Sequence, residues 1–256
     1  HDVALQGVRS CRIDLGNAEL LKSQLDGLSP DLVVHTAGLT DVDRCESAPD
    51  LAILVNATLA ENVARVAAAA GYGLVHISTD HLFAGDGGPF AESDVPRPLN
   101  EYARSKLKGE ELVREAHPEA LVLRTNFFGW GHAGRQSFSD WIIRSLRRGE
   151  AISLFEDVHF TPILADALAM AAHELVAAGC IGTFNLVGDD RVSKYEFGLR
   201  LARRFALPIE LIRCAQIGHA SLRARRPNDM SLSNAKARDR LGRGLGSLDD
   251  YFDALD

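Results

Sequence analysis

What the chain has little of narrows the field first. Its 256 residues hold four cysteines, Cys11, Cys45, Cys180 and Cys214, far apart and without a CxxC pair. Neither a zinc knuckle nor a dithiol redox motif follows, and free thiols are expected. The nine histidines show no HxxxH-type spacing and the acids are dispersed, so no metal set is expected. No uninterrupted apolar run approaches the roughly 20 residues that span a bilayer, and no signal-peptide pattern is visible. Positive charge is in short supply as well. Lys and Arg total 28 against 35 Asp and Glu, a formal net charge of -7, which gives no global attraction for nucleic acid or an anionic membrane. Together these absences predict a soluble, cytoplasmic protein with neither nucleic acid nor membrane as partner. No Pro/Gly/Ser-rich linker, repeat or low-complexity tract divides the chain, so any second lobe must pack closely on the first.

What is present alternates. Apolar runs of strand length at Asp2 to Gln6, Leu32 to Thr36, Gly73 to Ser78 and Ala120 to Thr125 are separated by helical patterns at Ala18 to Gly27, Pro49 to Ala70 and Tyr102 to Ala116. That order predicts βαβ units and a parallel sheet. The nearly continuous apolar character of several strands fits a sheet covered on both faces. The alanine-rich stretch up to Ala70 meets a helix stop at Gly71. The second half is less regular, with helices expected at Phe138 to Arg148, Leu164 to Ala178 and Ser193 to Phe205, and a strand at Thr183 to Val187. A boundary near Asn126 divides an expected first domain, 1–125, from a smaller lobe, 126–256.

The sharpest chemical signal is Tyr102-Ala103-Arg104-Ser105-Lys106. Residues four apart share a helix face, so phenol and ammonium project into one space. A free tyrosine titrates near pH 10. A neighbouring cation favours the phenolate and makes the phenol a better acid near neutral pH. Taken alone, the pair fits a surface helix with a solvated lysine equally well. Upstream, Ser78-Thr79-Asp80-His81-Leu82-Phe83 follows the apolar run Leu74 to Ile77. Hydroxyls at the carboxyl end of a parallel strand lie where such sheets bind ligands, and one there can hydrogen-bond a carbonyl as charge develops. A simple ST turn or helix cap is the other reading.

The segment from Ser78 to Glu110, STDHLFAGDGGPFAESDVPRPLNEYARSKLKGE, resembles the dTDP-4-dehydrorhamnose reductases, in the nucleotide-sugar branch of the extended short-chain dehydrogenase/reductases. The similarity extends to VVHTAGLTDVDRCE at Val33 to Glu46, to Val55-Asn56, to Leu123-Arg124-Thr125-Asn126-Phe127-Phe128-Gly129, to Asp157 to Pro162, and to Arg226-Pro227-Asn228. It implies an α/β fold, a Rossmann-like doubly wound parallel sheet with a smaller, mixed substrate lobe. It further implies reduction of a 4-keto nucleotide sugar by NADP (or NAD), and a possible homodimer. By resemblance, Tyr102 protonates the carbonyl oxygen, Lys106 lowers the tyrosine pKa and holds the nicotinamide ribose, and Thr79 orients the carbonyl, with Ser78 as the alternative hydroxyl. Thr36, Ala37, Gly38 and Thr40 are expected along the cofactor, although a plain strand-to-helix turn reads the same way. Asn56 is expected to support the site or to start a helix. Asp14 and Leu15 are expected near the adenine, with helix capping as the other role for Asp14. Arg9 and Arg12, with no acid before Asp14, favour a 2′-phosphate and hence NADP.

Three departures stand out. The family's glycine-rich phosphate loop is absent, as though roughly 25–30 residues, one strand plus one helix, were missing ahead of the first strand. His81 stands where the reductases carry Tyr, and Phe127 near where they place Trp. Nucleotide-sugar dehydratases carry an Asp-Glu pair after the threonine. Here Asp80 is followed by His81, which disfavours elimination. A non-catalytic subunit of the same fold, like the regulatory subunit of methionine adenosyltransferase, is the alternative of a different class. Retention of both Tyr102 and Lys106 argues against it.

Overall fold

The computed structural model describes residues 7–131 and 136–255. In chain order the first half runs α1 (Ala18–Leu28), β1 (Leu32–His35), α2 (Val42–Ser47), α3 (Pro49–Ile53), a π-helical turn (Leu54–Thr58), α4 (Leu59–Ala70), β2 (Gly73–Ile77), α5 (Glu101–Ala116) and β3 (Leu121–Arg124). Then follow β4 (Phe127–Phe128), α6 (Phe138–Arg147), β5 (Ile152–Phe155), β6 (His159–Phe160), β7 (Ile163–Leu164), α7 (Ala165–Ala177), β8 (Gly182–Asn185), β9 (Val192–Ser193), α8 (Lys194–Arg204), β10 (Ile212–Ala215), α9 (Ala235–Leu241) and α10 (Leu248–Asp253). The long elements lie where periodicity predicts them. The expected strand Asp2 to Gln6 lies outside the described residues.

β1, β2, β3 and β8 form one parallel sheet in that spatial order. Side chains of a strand point to alternate faces, and the sheet sorts them accordingly. Leu74 and Val122 join the cluster of α1, α4 and α5, with Leu21, Leu25, Val63 and Val113. Val75, Leu121 and Leu123 belong to a second cluster with Leu168, Ala171 and Leu175 of α7 on the opposite face. Both faces are therefore covered, as the apolar strands require. The second cluster continues without a break into Phe128, Ile142, Phe160, Phe197 and Phe252. Its outer part carries three small ladders: β4 with β7, β5 with β10, and β6 with β9. The strands of β4/β7 and β6/β9 have two residues each and hold no readable period, which is why the sequence does not reveal them. Among the described residues β1 has no strand on its outer side, and its Val34 is exposed.

Local signals set the helix ends. Asn17 caps α1 and Asn100 caps α5 by accepting the Leu20 and Ala103 N–H groups at 3.0 and 2.9 Å. α4 stops at Gly71, whose φ of 76° is left-handed. α3, the π-turn and α4 make one helix, Pro49–Ala70, which by length and composition is apolar enough to cross a membrane, with mean hydropathy 1.3. The sequence shows no uninterrupted apolar run there because Asp50, Asn56, Glu61, Asn62 and Arg65 break it. In the fold this helix packs against α1, α5 and β2, and Ala60, Val63, Ala64 and Ala67 are buried.

α5 approaches this helix more closely than a side chain allows. A Cβ on Gly109 would stand 2.2 Å from the Asn56 carbonyl oxygen. Gly109→Ala is expected to cost about 1–3 kcal/mol by overpacking, read as a lower urea midpoint with unchanged m-value. An unchanged midpoint would mean that α5 slides freely on its neighbour.

Candidate active site

The carboxyl ends of β1, β2 and β3 open into a cleft of about 960 Å³, walled on the far side by 125–131, Phe138 and α7. Ser78, Thr79, Asp80 and His81 leave β2 at its rim. Ser78 N–H donates to the Leu123 carbonyl at 2.7 Å, which keeps this loop in line with β3. Thr79 Oγ1 donates to Asp80 Oδ1 and accepts the His81 N–H, both at 3.3 Å. Asn126 Nδ2 donates to the other Asp80 oxygen.

α5 delivers Tyr102 and Lys106 to the same cleft from one buried face, 7% and 4% exposed. The Lys106 ammonium donates to the Ile77 carbonyl at 2.7 Å, at the end of β2. His81 meets Tyr102 edge-on, with ring centroids 5.4 Å apart. Behind the helix, Asn56 sits in the π-turn and ties three parts together. Its Oδ1 accepts the Leu39 N–H at 2.7 Å, and its Nδ2 donates to Leu39 O at 3.0 Å and Ser105 Oγ at 2.9 Å. It is an interior helical residue rather than a helix start, and it braces the 38–39 turn against α5. π-Turns often mark such sites.

Thr36, Gly38 and Thr40 line the cleft, and Ala37 lies between them in the turn. Asp14 and Leu15 are not among the cleft residues. Asp14 Oδ1 accepts the Gly16 N–H at 2.9 Å, and the Leu15 carbonyl accepts from Asn62 Nδ2 at 3.0 Å. Both therefore serve the turn before α1. Asp14 does not cap α1, because Asn17 does. Thr125, Asn126, Trp130 and Phe138 are cleft residues that sequence reasoning missed. Thr125 and Asn126 lie in the family-like stretch Leu123 to Gly129, where no single residue was singled out, and Trp130 and Phe138 come from the irregular second half, where no motif marks them.

Charge around Lys106 is arranged with care. Burial lowers its pKa to about 8, and Glu110 opposes that shift. Glu110 is one further turn along α5 and is fully buried. Its carboxylate receives Arg124 Nε at 3.0 Å and a second guanidinium nitrogen at 2.8 Å. Facing Lys106 from β1 and β2 are His35 and His76, paired in register, with their Nδ1 atoms 3.0 Å apart and rings stacked. One Nδ1 must carry the hydrogen and the other the lone pair. Burial first, and Lys106 second, lower the His35 pKa to about 4 and hold that of His76 well below its usual value. Both rings are neutral at physiological pH. Burial likewise lowers the pKa of His81, against the pull of Asp80.

Two hydroxyls complete the wall. Ser78 and Thr125 line the cleft at neighbouring strand ends, and their hydroxyl oxygens are buried beneath its surface with no hydrogen-bond partner among the described residues. Buried polar atoms are normally satisfied, so these fit a cleft that receives a polar ligand.

Such a sheet, with a Tyr/Lys helix and a hydroxyl-bearing loop at its carboxyl edge, defines the class of Rossmann-like short-chain dehydrogenases/reductases. The sequence profile of the RmlD substrate binding domain matches residues 1–249, and the chain belongs to that family. It is 34% identical over 250 residues to the probable low-salt glycan biosynthesis reductase Agl14 of Haloferax volcanii, covering 96% of this chain and 83% of that protein. It is 31% identical over 235 residues to dTDP-4-dehydrorhamnose reductase of Escherichia coli, covering 87% and 78%. The crystal structure of dTDP-4-dehydrorhamnose reductase from Bacillus anthracis in complex with NADP superposes with a TM-score of 0.88 at 26% identity, over 95% of this chain and 86% of that one.

The histidine pair yields a pH prediction. Their folded pKa values lie below the unfolded 6.5, so the unfolded chain takes up protons first as pH falls. Stability is whole above pH 6.5 and is lost as pH drops towards 4, by about 1.4 kcal/mol per unit and per histidine. Urea midpoints measured between pH 7 and 4.5 are expected to fall steeply. The double variant His35→Leu/His76→Leu should flatten the slope, and an equal slope in that variant would assign the acid lability elsewhere.

Proposed function

We propose that the protein reduces the keto group of a nucleotide sugar, of the dTDP-4-dehydrorhamnose type, using NADPH or, less favoured, NADH. The observation that carries this reading is the arrangement of Tyr102 and Lys106 on one buried face of α5, lining the same cleft as Thr79, with the lysine ammonium anchored at the end of β2. The reductases named above, similar over most of the chain, support it.

When bound, a dihydronicotinamide would supply the hydride that goes to the carbonyl carbon. Thr36, Gly38 and Thr40 flank the space beside β1 that suits the cofactor, and the unpartnered Ser78 and Thr125 hydroxyls offer it or the sugar hydrogen bonds. Lys106, fixed by Ile77 O, would hold the nicotinamide ribose. Thr79 Oγ1 has only long bonds to surrender and can turn to donate to the sugar carbonyl oxygen. Tyr102 Oη then passes its proton to that oxygen as negative charge gathers there. The neighbouring ammonium stabilises the phenolate left behind. Restoring the phenol takes one proton from water through the open side of the cleft.

Two measurements test this. Wild-type protein mixed with NADPH and dTDP-4-dehydrorhamnose is expected to consume the dihydronicotinamide absorbance, and Tyr102→Phe to lower kcat by on the order of 10²–10⁴. Absence of turnover in the wild type, or full turnover in Tyr102→Phe, would refute the reading. Activity is further expected to fall as pH rises through about 8, where Lys106 loses its proton. A flat profile up to pH 9.5 would remove the ammonium from the mechanism.

A further inference from the structure

His81 lines the cleft but does nothing in the reduction described above. Its place is fixed from both sides. Thr79 Oγ1, two residues earlier, accepts its backbone N–H at 3.3 Å. Leu82 and Phe83, the two residues after it, are fully buried, and Leu82 O accepts the Arg97 N–H at 2.8 Å. The ring meets Tyr102 of α5 edge-on, with centroids 5.4 Å apart. His81 therefore stands beside both residues proposed to hold the carbonyl oxygen: the Thr79 hydroxyl on its own loop, and the Tyr102 phenol against its ring.

The surroundings also fix the ring's protons. Burial lowers the His81 pKa and outweighs the pull of Asp80 on the same loop, while Lys194 on α8 and Arg226 push in the direction of burial. The ring is neutral at physiological pH, with one N–H and one lone pair. Its Nδ1 is buried with no hydrogen-bond partner among the described residues. A buried N–H without an acceptor is rarer than an acceptor without a donor, which assigns the lone pair to Nδ1 and the hydrogen to Nε2. Nε2–H is then the donor that this cleft-lining ring offers to a ligand. Shape alone does not ask for a histidine, because a phenylalanine would make the same edge contact with Tyr102 and leave no polar atom unpaired in the interior.

A 4-keto-6-deoxy sugar has unlike neighbours on the two sides of its carbonyl carbon. One adjacent carbon bears a hydroxyl and the other a methyl. An N–H donor placed next to the Thr79 and Tyr102 oxygens can serve the hydroxyl side only. We infer that His81 is a specificity-determining residue whose Nε2–H donates to the sugar hydroxyl on the carbon next to the keto group. This deepens the reductase reading and rests on it for the identity of the ligand. Choosing which neighbour lies at His81 also chooses which face of the carbonyl turns to the cofactor side. A sugar without that hydroxyl leaves the N–H unmet in a site closed to water, the situation in which discrimination against a missing hydroxyl is strongest.

The test is equilibrium binding by calorimetry at pH 7, which needs no turnover. The probes are dTDP-rhamnose and its 3-deoxy counterpart, which differ at that carbon alone. The wild type is expected to hold the hydroxylated ligand about tenfold more tightly or better. In His81→Phe, which keeps the ring and removes both nitrogens, the ratio is expected to collapse towards one. His81→Gln sets its amide near the place of Nε2 and is expected to recover part of the preference. His81→Asn sets its amide near the place of Nδ1 and is expected not to, which also decides the matter if His81→Phe fails to fold. Thermal melting within a few degrees of the wild type separates binding from folding in each variant. Equal affinity of the wild type for the two ligands, or binding of neither, overturns the inference. So does a preference kept in His81→Phe, which would make the ring a matter of shape, or one kept in His81→Asn and lost in His81→Gln. If the wild type shows the His81-dependent preference but oxidises no NADPH with dTDP-4-dehydrorhamnose, the reductase reading falls and the role of His81 stands. Turnover in which His81→Phe leaves the kcat/KM ratio of that substrate to its 3-deoxy counterpart as in the wild type overturns the role of His81 and leaves the reductase reading standing.

Discussion

The structure turns on keeping one ammonium charged where water is scarce. Lys106 is buried beneath the cleft, and desolvation pulls its proton away. Three features answer that pull. The Ile77 carbonyl accepts one hydrogen bond, Glu110 lends negative charge from the next helical turn, and the two histidines facing it stay neutral. Glu110 is in turn held by Arg124 from β3, two buried charges satisfying each other in fork geometry. Removing either would strand the other in the core, which is far costlier than the pair is worth.

The same contacts position α5. Its register against the sheet is set by Lys106 on β2 and Glu110 on β3. Its approach to the Pro49–Ala70 helix is set by the Asn56 carbonyl against Gly109 and by the Asn56 side chain on Ser105. Tyr102 inherits its place from these anchors. Stability and the placement of the phenol thus draw on one set of atoms: a shift of α5 large enough to relieve a clash at Gly109 would also carry the phenol away from the Thr79 loop.

Much of the fold is legible in the amino-acid order. The βα alternation, the helix ends at Asn17, Asn100 and Gly71, and the boundaries of the long strands follow from periodicity and capping chemistry. The two-residue ladders β4/β7 and β6/β9 of the outer lobe do not show, because pairs of residues carry no period. Of the site, Thr79, Tyr102 and Lys106 are readable from spacing and resemblance, and the cleft unites them. Asp14 and Leu15 stand outside the cleft lining, and Asp14 Oδ1 accepts the Gly16 N–H in the turn before α1. Glu110 carries a signal that spacing alone could have found, since it repeats the four-residue step of Tyr102 and Lys106.

The sequence by itself determined which segments become strands and helices, and which helix face carries phenol and ammonium, because those follow from interactions between residues a few positions apart. Only the tertiary structure decided that His35 stacks on His76, that Arg124 closes on Glu110, that Asn56 holds Leu39 to Ser105, and that His81 meets Tyr102 edge-on. Each of these joins elements distant in the chain. Their pairing is fixed by strand register and by how helices seat on the sheet, quantities that local spacing does not contain.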